Sequence, residues 1–575
     1  MSNQAPKTTP KWTPSGRRRR GRLAAGVLRG GTPPNDVEVL PGGLHPATRE
    51  EMFPIALAAV VASFVAFVVC YTRGYVLLYG DAVAHLGIAR RIFDSRNPGL
   101  AQLGGVWLPL PHLLMLPFVR NMEWWQNGLA GAWPSLGCYI LSVIGLYRLA
   151  RRMMTQRWAL VATMFYALNP NLLYLSTTAM TEPLFLAEII WLTCLTMECV
   201  AAVQAERDVR VAKQLVGIAL LIVAAVFTRY DGWIMGAAVW CVLTWTLSRN
   251  PDLWRRVVPS FTVFTVLTVA GPLSWLAYNQ HFFHDALDFM RGPYSAAAIE
   301  KKTSPPGSRH YRGWHNPAWA LLFYTRTAQV DTAVWETGFA VMVAALAGLV
   351  VMVRRGVAWA SALLWVPLPF YVYSIAYGSV PIFIPQLWPH SFYNARYGMG
   401  LLPALVVFSM LALDWLDGRW KTTLPLGARL LQPVAMLLVV LSTIGMMYKI
   451  PLVLKEGQVN AVTRVAFEAA VARELKSFPA GVPILMFNSE HIGALQQAGI
   501  PLRQTLNEGD YDSWKAALDA PAARSEYVVA IAGDPVSHAV TEHPDGLTEL
   551  TVLCTSGQPC ARIYRSDVYK PSPTH

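Results

Sequence analysis

Residues 215–247 read LVGIALLIVAAVFTRYDGWIMGAAVWCVLTWTL: two apolar runs joined by Thr228-Arg229-Tyr230-Asp231-Gly232, with Arg249 just beyond. Each run is apolar on every side rather than along one stripe, the pattern of a helix that meets only apolar surroundings. With its flanks, each approaches the roughly 20 residues that cross about 30 Å of hydrocarbon. The turn between them holds a cation and an anion. A charge deep in a bilayer costs about 2.5–3.5 kcal/mol on insertion scales, so this turn belongs at a membrane face or against a cavity. The pair Arg229 and Asp231 also fits simple mutual neutralisation in a tight turn.

The same reading extends in both directions. Further spans are predicted near 53–71, 129–147, 158–176, 183–202, 257–278, 337–353, 359–377, 401–416 and 430–448. Basic residues mark one side of them: Arg148, Arg151, Arg152 and Arg157, then Arg207, Arg210 and Lys213, then Arg249, Arg255 and Arg256, then Arg354, Arg355, Arg419 and Lys421. Positive loops face the cytoplasm, and that bias holds only if the apolar stretch 106–119 does not cross. Pro109, Pro111 and Pro117 interrupt it, which favours an interfacial or re-entrant segment. The expected fold is therefore a polytopic α-helical membrane protein with about eleven transmembrane helices. Long outer loops are expected at 73–128 and 279–334.

Composition agrees. Of 575 residues 54% are hydrophobic and 14% charged, too little charge for a soluble surface. The net charge of +13 is spread over short loops and a tail rather than one face, which argues against a nucleic-acid binder. Residues 1–50, with the run Arg17 to Arg20, read as a disordered basic cytoplasmic tail. No cleavage pattern accompanies the first apolar run, so that span is expected to stay in the membrane. After residue 450 the pattern changes. A helix is expected over 464–476, buried strands at 483–487 and 527–531, and a hairpin around 551–564. Residues 451–575 thus form a small α/β domain, placed outside the cell membrane by an odd span count. Cys554 and Cys560 flank its turn and are read equally well as a disulfide or as two thiols.

Charged residues recur at the outer span ends. Asp81 follows the first span, with His85 one turn later; Glu182 sits in Thr181-Glu182-Pro183 between two apolar runs; Arg396-Tyr397 precedes another run. Asp81 also fits a helix cap, His85 a polar interface, and Glu182 the favourable charge of a helix start. Their convergence on one membrane face is the signal.

An acid beyond the first span, a long outer loop with a proline-containing segment and an outer Thr-Glu-Pro hairpin together resemble the GT-C glycosyltransferases. Within that superfamily the chain is similar to the branch of protein O-mannosyltransferases and aminoarabinose lipid A transferases. Leu108-Pro109-Leu110-Pro111-His112 is a loose version of the branch's His-Pro-Pro segment, and Thr228 to Gly232 resembles an Arg-Tyr-acid-Gly turn of related membrane transferases. Tyr278-Asn279 and Gly292-Pro293-Tyr294 look like their second outer loop. The resemblance covers about residues 50–450. It implies transfer of a sugar from a polyprenyl-phosphate donor to a glycan, lipid or protein acceptor at the outer face of the inner membrane. Asp81 matches the family's first catalytic acid. Arg229 and Arg396 are candidates for the donor phosphate, with Glu182, Asp231, His85 and Tyr294 as further substrate contacts. No cofactor is required by the motifs; a divalent metal ion held by Asp81 and His85 is the option the resemblance keeps open. The competing function is transport of a lipid-linked or anionic solute, in which the same charges would line a route.

Overall fold

The structure, a computed structural model, describes residues 45–570 apart from 305, 306, 308, 335 and 357. The tail with Arg17 to Arg20 lies outside the described residues. Among those described, nine helices are long and apolar enough to cross a membrane. The two remaining expected crossings are less regular. One is split into Gln156–Ala167 and Pro170–Leu175, where Asn169 caps the second piece by accepting from the Asn171 and Leu172 amides. The other is Asp231–Ser248, whose 18 residues span ~27 Å. Leu110–Val119 is a helix of only 10 residues, about half the hydrocarbon thickness.

Helix Glu182–Gln204 is the centre of the bundle: 78% of its apolar window is buried, against 17% for Arg49–Thr72 at the periphery. Small residues let the backbones approach, since lipid gives helices no hydrophobic reason to associate. A Cβ on Gly348 would overlap the carbonyl oxygen of Phe408, and this contact joins Thr337–Arg355 to Leu402–Thr423. At one end of the bundle Arg148 and Arg152 meet Glu198, Arg151 meets Glu51, and Arg355 meets Asp414.

The C-terminal part begins with a helix that starts twelve residues earlier than the sequence suggests, Leu452–Leu475 rather than 464–476. Its first turns are tied to the bundle: the Val453 amide donates to Asn171 Oδ1 at 2.9 Å. Beyond it, strands β1 (Ile484–Met486), β2 (Thr505–Leu506), β3 (Tyr527–Ile531), β4 (Leu547–Leu553) and β5 (Ala561–Ser566) form one sheet in the order β2-β1-β3-β5-β4. The first three are parallel and the last two antiparallel. Leu485, Leu506, Val528, Ala530, Val536 and Val540 form a core beneath one face. Cys554 and Cys560 are joined by a disulfide across the turn between β4 and β5. The sheet module is bonded to the first long loop. Gln496 donates to Trp125 O, Arg96 to Thr505 O and Gln102 to Gly509 O. Residues 39–575 accordingly make one compact unit.

Candidate active site

Five helix ends meet opposite the Arg148–Glu198 end. Asp81 lies in the first turn of Gly80–Arg91, and its carboxylate bonds Arg396 Nη2 at 2.5 Å instead of capping the helix. Arg396 opens the tight turn Ala395–Leu401 that leads into Leu402–Thr423. Its other nitrogens face Glu182 Oε1 at 3.3 Å and Glu456 Oε1 at 3.6 Å. The Glu182 approach is close without being aligned, so Arg396 Nε lacks a hydrogen-bond acceptor among the described residues. The guanidinium lies 5.2 Å from the ring of Tyr79 and 4.9 Å from that of Tyr397. Both rings are within cation–π range of the guanidinium.

Arg229 ends Asp208–Thr228 in an extended conformation, which turns its side chain across the mouth of the bundle. It donates to Thr181 Oγ1 at 2.8 Å and Tyr371 Oη at 2.7 Å, and approaches Glu182 Oε1 and Asp231 Oδ1 at 3.3 Å. Tyr371 passes the chain on, donating to Asp231 Oδ2 at 3.2 Å. Tyr397 lies between the two cations, 5.0 Å from Arg229. Glu182, at the start of its helix ahead of Pro183, is favoured there by the helix dipole. It is 5% exposed, and its Oε2 has no partner among the described residues.

Two guanidiniums thus face four carboxylates: Asp81, Glu182, Asp231 and Glu456. Such an excess of carboxylates over cations favours any reacting group that becomes positive. The side chain of Asp81 is 41% exposed, the most open of the pairs around Arg396.

His85 is set one turn behind Asp81 and is bonded elsewhere. Its Nδ1 is 2.8 Å from His112 Nε2, and its ring lies tilted against that of Trp107, 4.3 Å between centroids. Burial, then the charges of Arg396 and Arg229, push the His85 imidazole down to about 3. Burial, then His85 and Arg91, hold His112 well below the ordinary value. Tyr294 is half-exposed and keeps company with Ser489, Glu508 and Arg91 rather than with the two arginines. Among the described residues no three His, Cys, Asp or Glu side chains are gathered to hold a metal ion. Asp81 bonds Arg396 and His85 bonds His112 in this structure.

Glu456, Tyr371 and Glu188 escape a reading of motifs. Glu456 accepts the Ala395 amide at 2.9 Å from a helix that sequence assigns to the outer domain. Glu188 accepts Thr228 Oγ1 at 2.7 Å. An acid inside the apolar run 183–202 carries a readable insertion cost, so Glu188 had a signal; Glu456, in a polar helix, had none.

Residues 125–275 match the family model described as dolichyl-phosphate-mannose-protein mannosyltransferase. No curated protein matches the sequence. ArnT from Cupriavidus metallidurans bound to undecaprenyl phosphate has a similar structure, with TM-score 0.55 and 14% identity over 92% of this chain and 100% of that one. Its apo form gives TM-score 0.49 at 14% identity, over 88% of this chain and 99% of that one. The Archaeoglobus fulgidus oligosaccharyltransferase gives 0.43 at 10% identity, over 83% and 68%. A mannosyltransferase model over the central spans and a fold shared with a solved transferase agree: the chain is a membrane glycosyltransferase similar to the GT-C superfamily.

Proposed function

We propose that the enzyme moves a sugar from a polyprenyl-phosphate donor to an acceptor at the outer face of the inner membrane. The observation that carries this reading is Arg396, held at once against Asp81, Glu182 and Glu456 with its edge at the most open carboxylate. A small, mostly apolar pocket with Pro111, Leu114, Met115, Pro134, Cys138 and Leu184 in its wall also touches Thr181, the residue that Arg229 bonds. A lipid tail running along the apolar bundle surface here brings its phosphate to the arginines. A phosphate that takes the Arg396 fork displaces Asp81, and the freed carboxylate can accept the proton of the acceptor hydroxyl. The sugar–phosphate bond then breaks, the bond to the acceptor oxygen forms, and the phosphate leaves with added charge held by the guanidiniums. The anomeric carbon is oxocarbenium-like as this happens, and the surplus of carboxylates supports it.

Transfer of radiolabel from an undecaprenyl-phosphate sugar by the purified protein tests the reading, and failure with a panel of sugars sinks it. The orientation is part of the proposal: N-terminus in the cytoplasm, C-terminal module outside. The disulfide supports it, since such bonds persist in oxidising compartments. An introduced cysteine at Asp512, exposed on the module, should react with an impermeant reagent in intact cells, and one at Arg157 should not. The reverse labelling overturns the orientation.

A further inference from the structure

Asp81 is held twice, by its carboxylate through Arg396 and by its backbone, and the two holds fare differently once substrate arrives. A phosphate that takes the Arg396 fork removes the first. The second must then keep Asp81 in place, and nothing local supplies it. Helix Gly80–Arg91 begins at Tyr79 without a side-chain cap, after the irregular stretch 73–79. Backbone carbonyls in such a stretch take their donors from elsewhere.

Those donors come from the C-terminal part of the chain. Arg464 Nη2 donates to the carbonyls of Leu77 and Leu78, each at 3.0 Å, and Tyr79 Oη donates to Val453 O at 2.8 Å. Arg464 is itself fixed: its Nη1 bonds Glu468 Oε2 at 2.7 Å, one turn along the same helix, where that acid is buried. The approach is close. A Cβ on Gly457 would lie 3.0 Å from Tyr174 Oη, 3.2 Å from the Tyr79 ring and 3.3 Å from Leu78 Cβ. Val453, Gly457 and Arg464 all belong to helix Leu452–Leu475. So does Glu456, which accepts the Ala395 amide at 2.9 Å and faces Arg396. One helix thus holds the segments of both Asp81 and Arg396, through Arg464 and Glu456, eight residues and ~12 Å apart.

We infer that Arg464 is a positioning residue for Asp81: its hold on the Leu77 and Leu78 carbonyls keeps the carboxylate at the acceptor hydroxyl after the Arg396 contact is given up. This rests on the glycosyl-transfer reading above and gives the C-terminal part a share in the chemistry. The effect travels through the backbone ahead of Asp81, and a displacement of about 1 Å at a reacting group costs up to about 100-fold in rate.

The test uses the full-length protein in detergent as wild type, Arg464→Gln, Asp81→Asn and the double variant. It reads hydrogen exchange, undecaprenyl phosphate binding and sugar transfer. In Arg464→Gln, amide exchange over residues 76–84 should rise about 10-fold. Exchange in the turn Ala395–Leu401 and undecaprenyl phosphate affinity should each stay within about 2-fold, because Glu456 still holds the Arg396 segment. Turnover should fall about 10-fold, and that fall should vanish in the Asp81→Asn background, where nothing is left to position. Arg464→Lys keeps the charge beside Glu468 and loses the planar fork; it should show a weaker form of the same pattern, and it serves where Arg464→Gln fails to fold. Unchanged exchange over 76–84, or a 10-fold loss repeated in full on top of Asp81→Asn, overturns the inference and leaves Arg464 a structural ion pair. Wild type that transfers sugar from no polyprenyl-phosphate donor sinks the glycosyl-transfer reading instead, and exchange over 76–84 still decides whether Arg464 holds the Asp81 segment.

Discussion

Helix Glu182–Gln204 carries a buried glutamate near each end, and the two are treated in opposite ways. Glu198 receives Arg148 in a parallel fork, at 2.7 and 2.8 Å, with Arg152 at 3.2 Å on the same carboxylate. Sixteen residues away, a separation of ~24 Å, Glu182 is approached by two arginines at 3.3 Å on one oxygen while the other oxygen is bare. The first cluster satisfies its acid fully. The second is short of cations, and the approaches to Glu182 are long. Two sites with the same residue types on the same helix therefore differ in whether their hydrogen bonds are already made. Completed bonds hold helices in place; incomplete ones keep capacity for a substrate.

The sharpest way to break that contrast is Asp81→Asn. The amide keeps the shape and loses the ability to take a proton, so turnover should fall about 100-fold or more with the melting temperature close to wild type. Full activity in folded Asp81→Asn protein removes Asp81 from the base role. Next come the two glutamates compared directly. Glu198→Gln weakens the carboxylate that Arg148 and Arg152 share and should lower the melting temperature, yet the protein that remains folded should turn over within about 2-fold of wild type. Glu182→Gln should lower turnover by about 10-fold or more, with less effect on melting, because its geometry contributes fewer completed bonds. If the two variants behave alike in both assays, the distinction between a holding cluster and a reacting one is wrong.

Much of this was legible in the sequence. Asp81, Glu182, Arg229, Asp231 and Arg396 each stand at an apolar boundary where a charge is expensive, and a single membrane face was enough to group them. The parity of basic loops kept 106–119 from being counted as a span, and the short helix Leu110–Val119 is what lies there. Glu456 was hidden for a physical reason. Helix Leu452–Leu475 is polar enough to belong in water, and its first turn enters the bundle because Asn171, far away in sequence, accepts the Val453 amide. No local pattern records such a long-range bond. Tyr371 was hidden differently, since an apolar run shows a tyrosine without showing where its hydroxyl goes. Tyr294 illustrates the converse: it shares the outer loops with the site residues but is drawn to Arg91 and the C-terminal module.

A smaller and graded effect is expected at the cations. Arg396→Lys keeps charge and loses the planar fork, so undecaprenyl phosphate affinity should fall by several-fold; Arg396→Gln loses both and should fall further. Arg229→Lys should be milder than Arg396→Lys, because Thr181 and Tyr371 already occupy two of its nitrogens. Unchanged lipid-phosphate binding with lowered melting temperatures would make both arginines structural, and the site would then resemble the Glu198 cluster after all.

The smallest effect concerns His85, and its sign can be worked out. Burial first, then Arg396 and Arg229, bring its imidazole from an ordinary 6.5 to about 3. At pH 7.5 the ring is neutral both in the folded protein and in the unfolded chain, and contributes nothing to pH dependence. As pH falls through 6.5 the unfolded chain takes up a proton that the folded protein refuses, so stability declines, by on the order of 1 kcal/mol at pH 5.5. His85→Gln removes the titrating ring and should flatten the fall in melting temperature between pH 7.5 and 5.5. A residue of that slope should persist, because His112 is also held neutral by burial. Activity should respond differently: if His85 stays a neutral partner of His112, no limb of the pH–rate profile near 6.5 belongs to it. A limb there that vanishes in His85→Gln would mean that the ring exchanges protons during turnover, and the reacting cluster would then extend from Asp81 to the histidine pair.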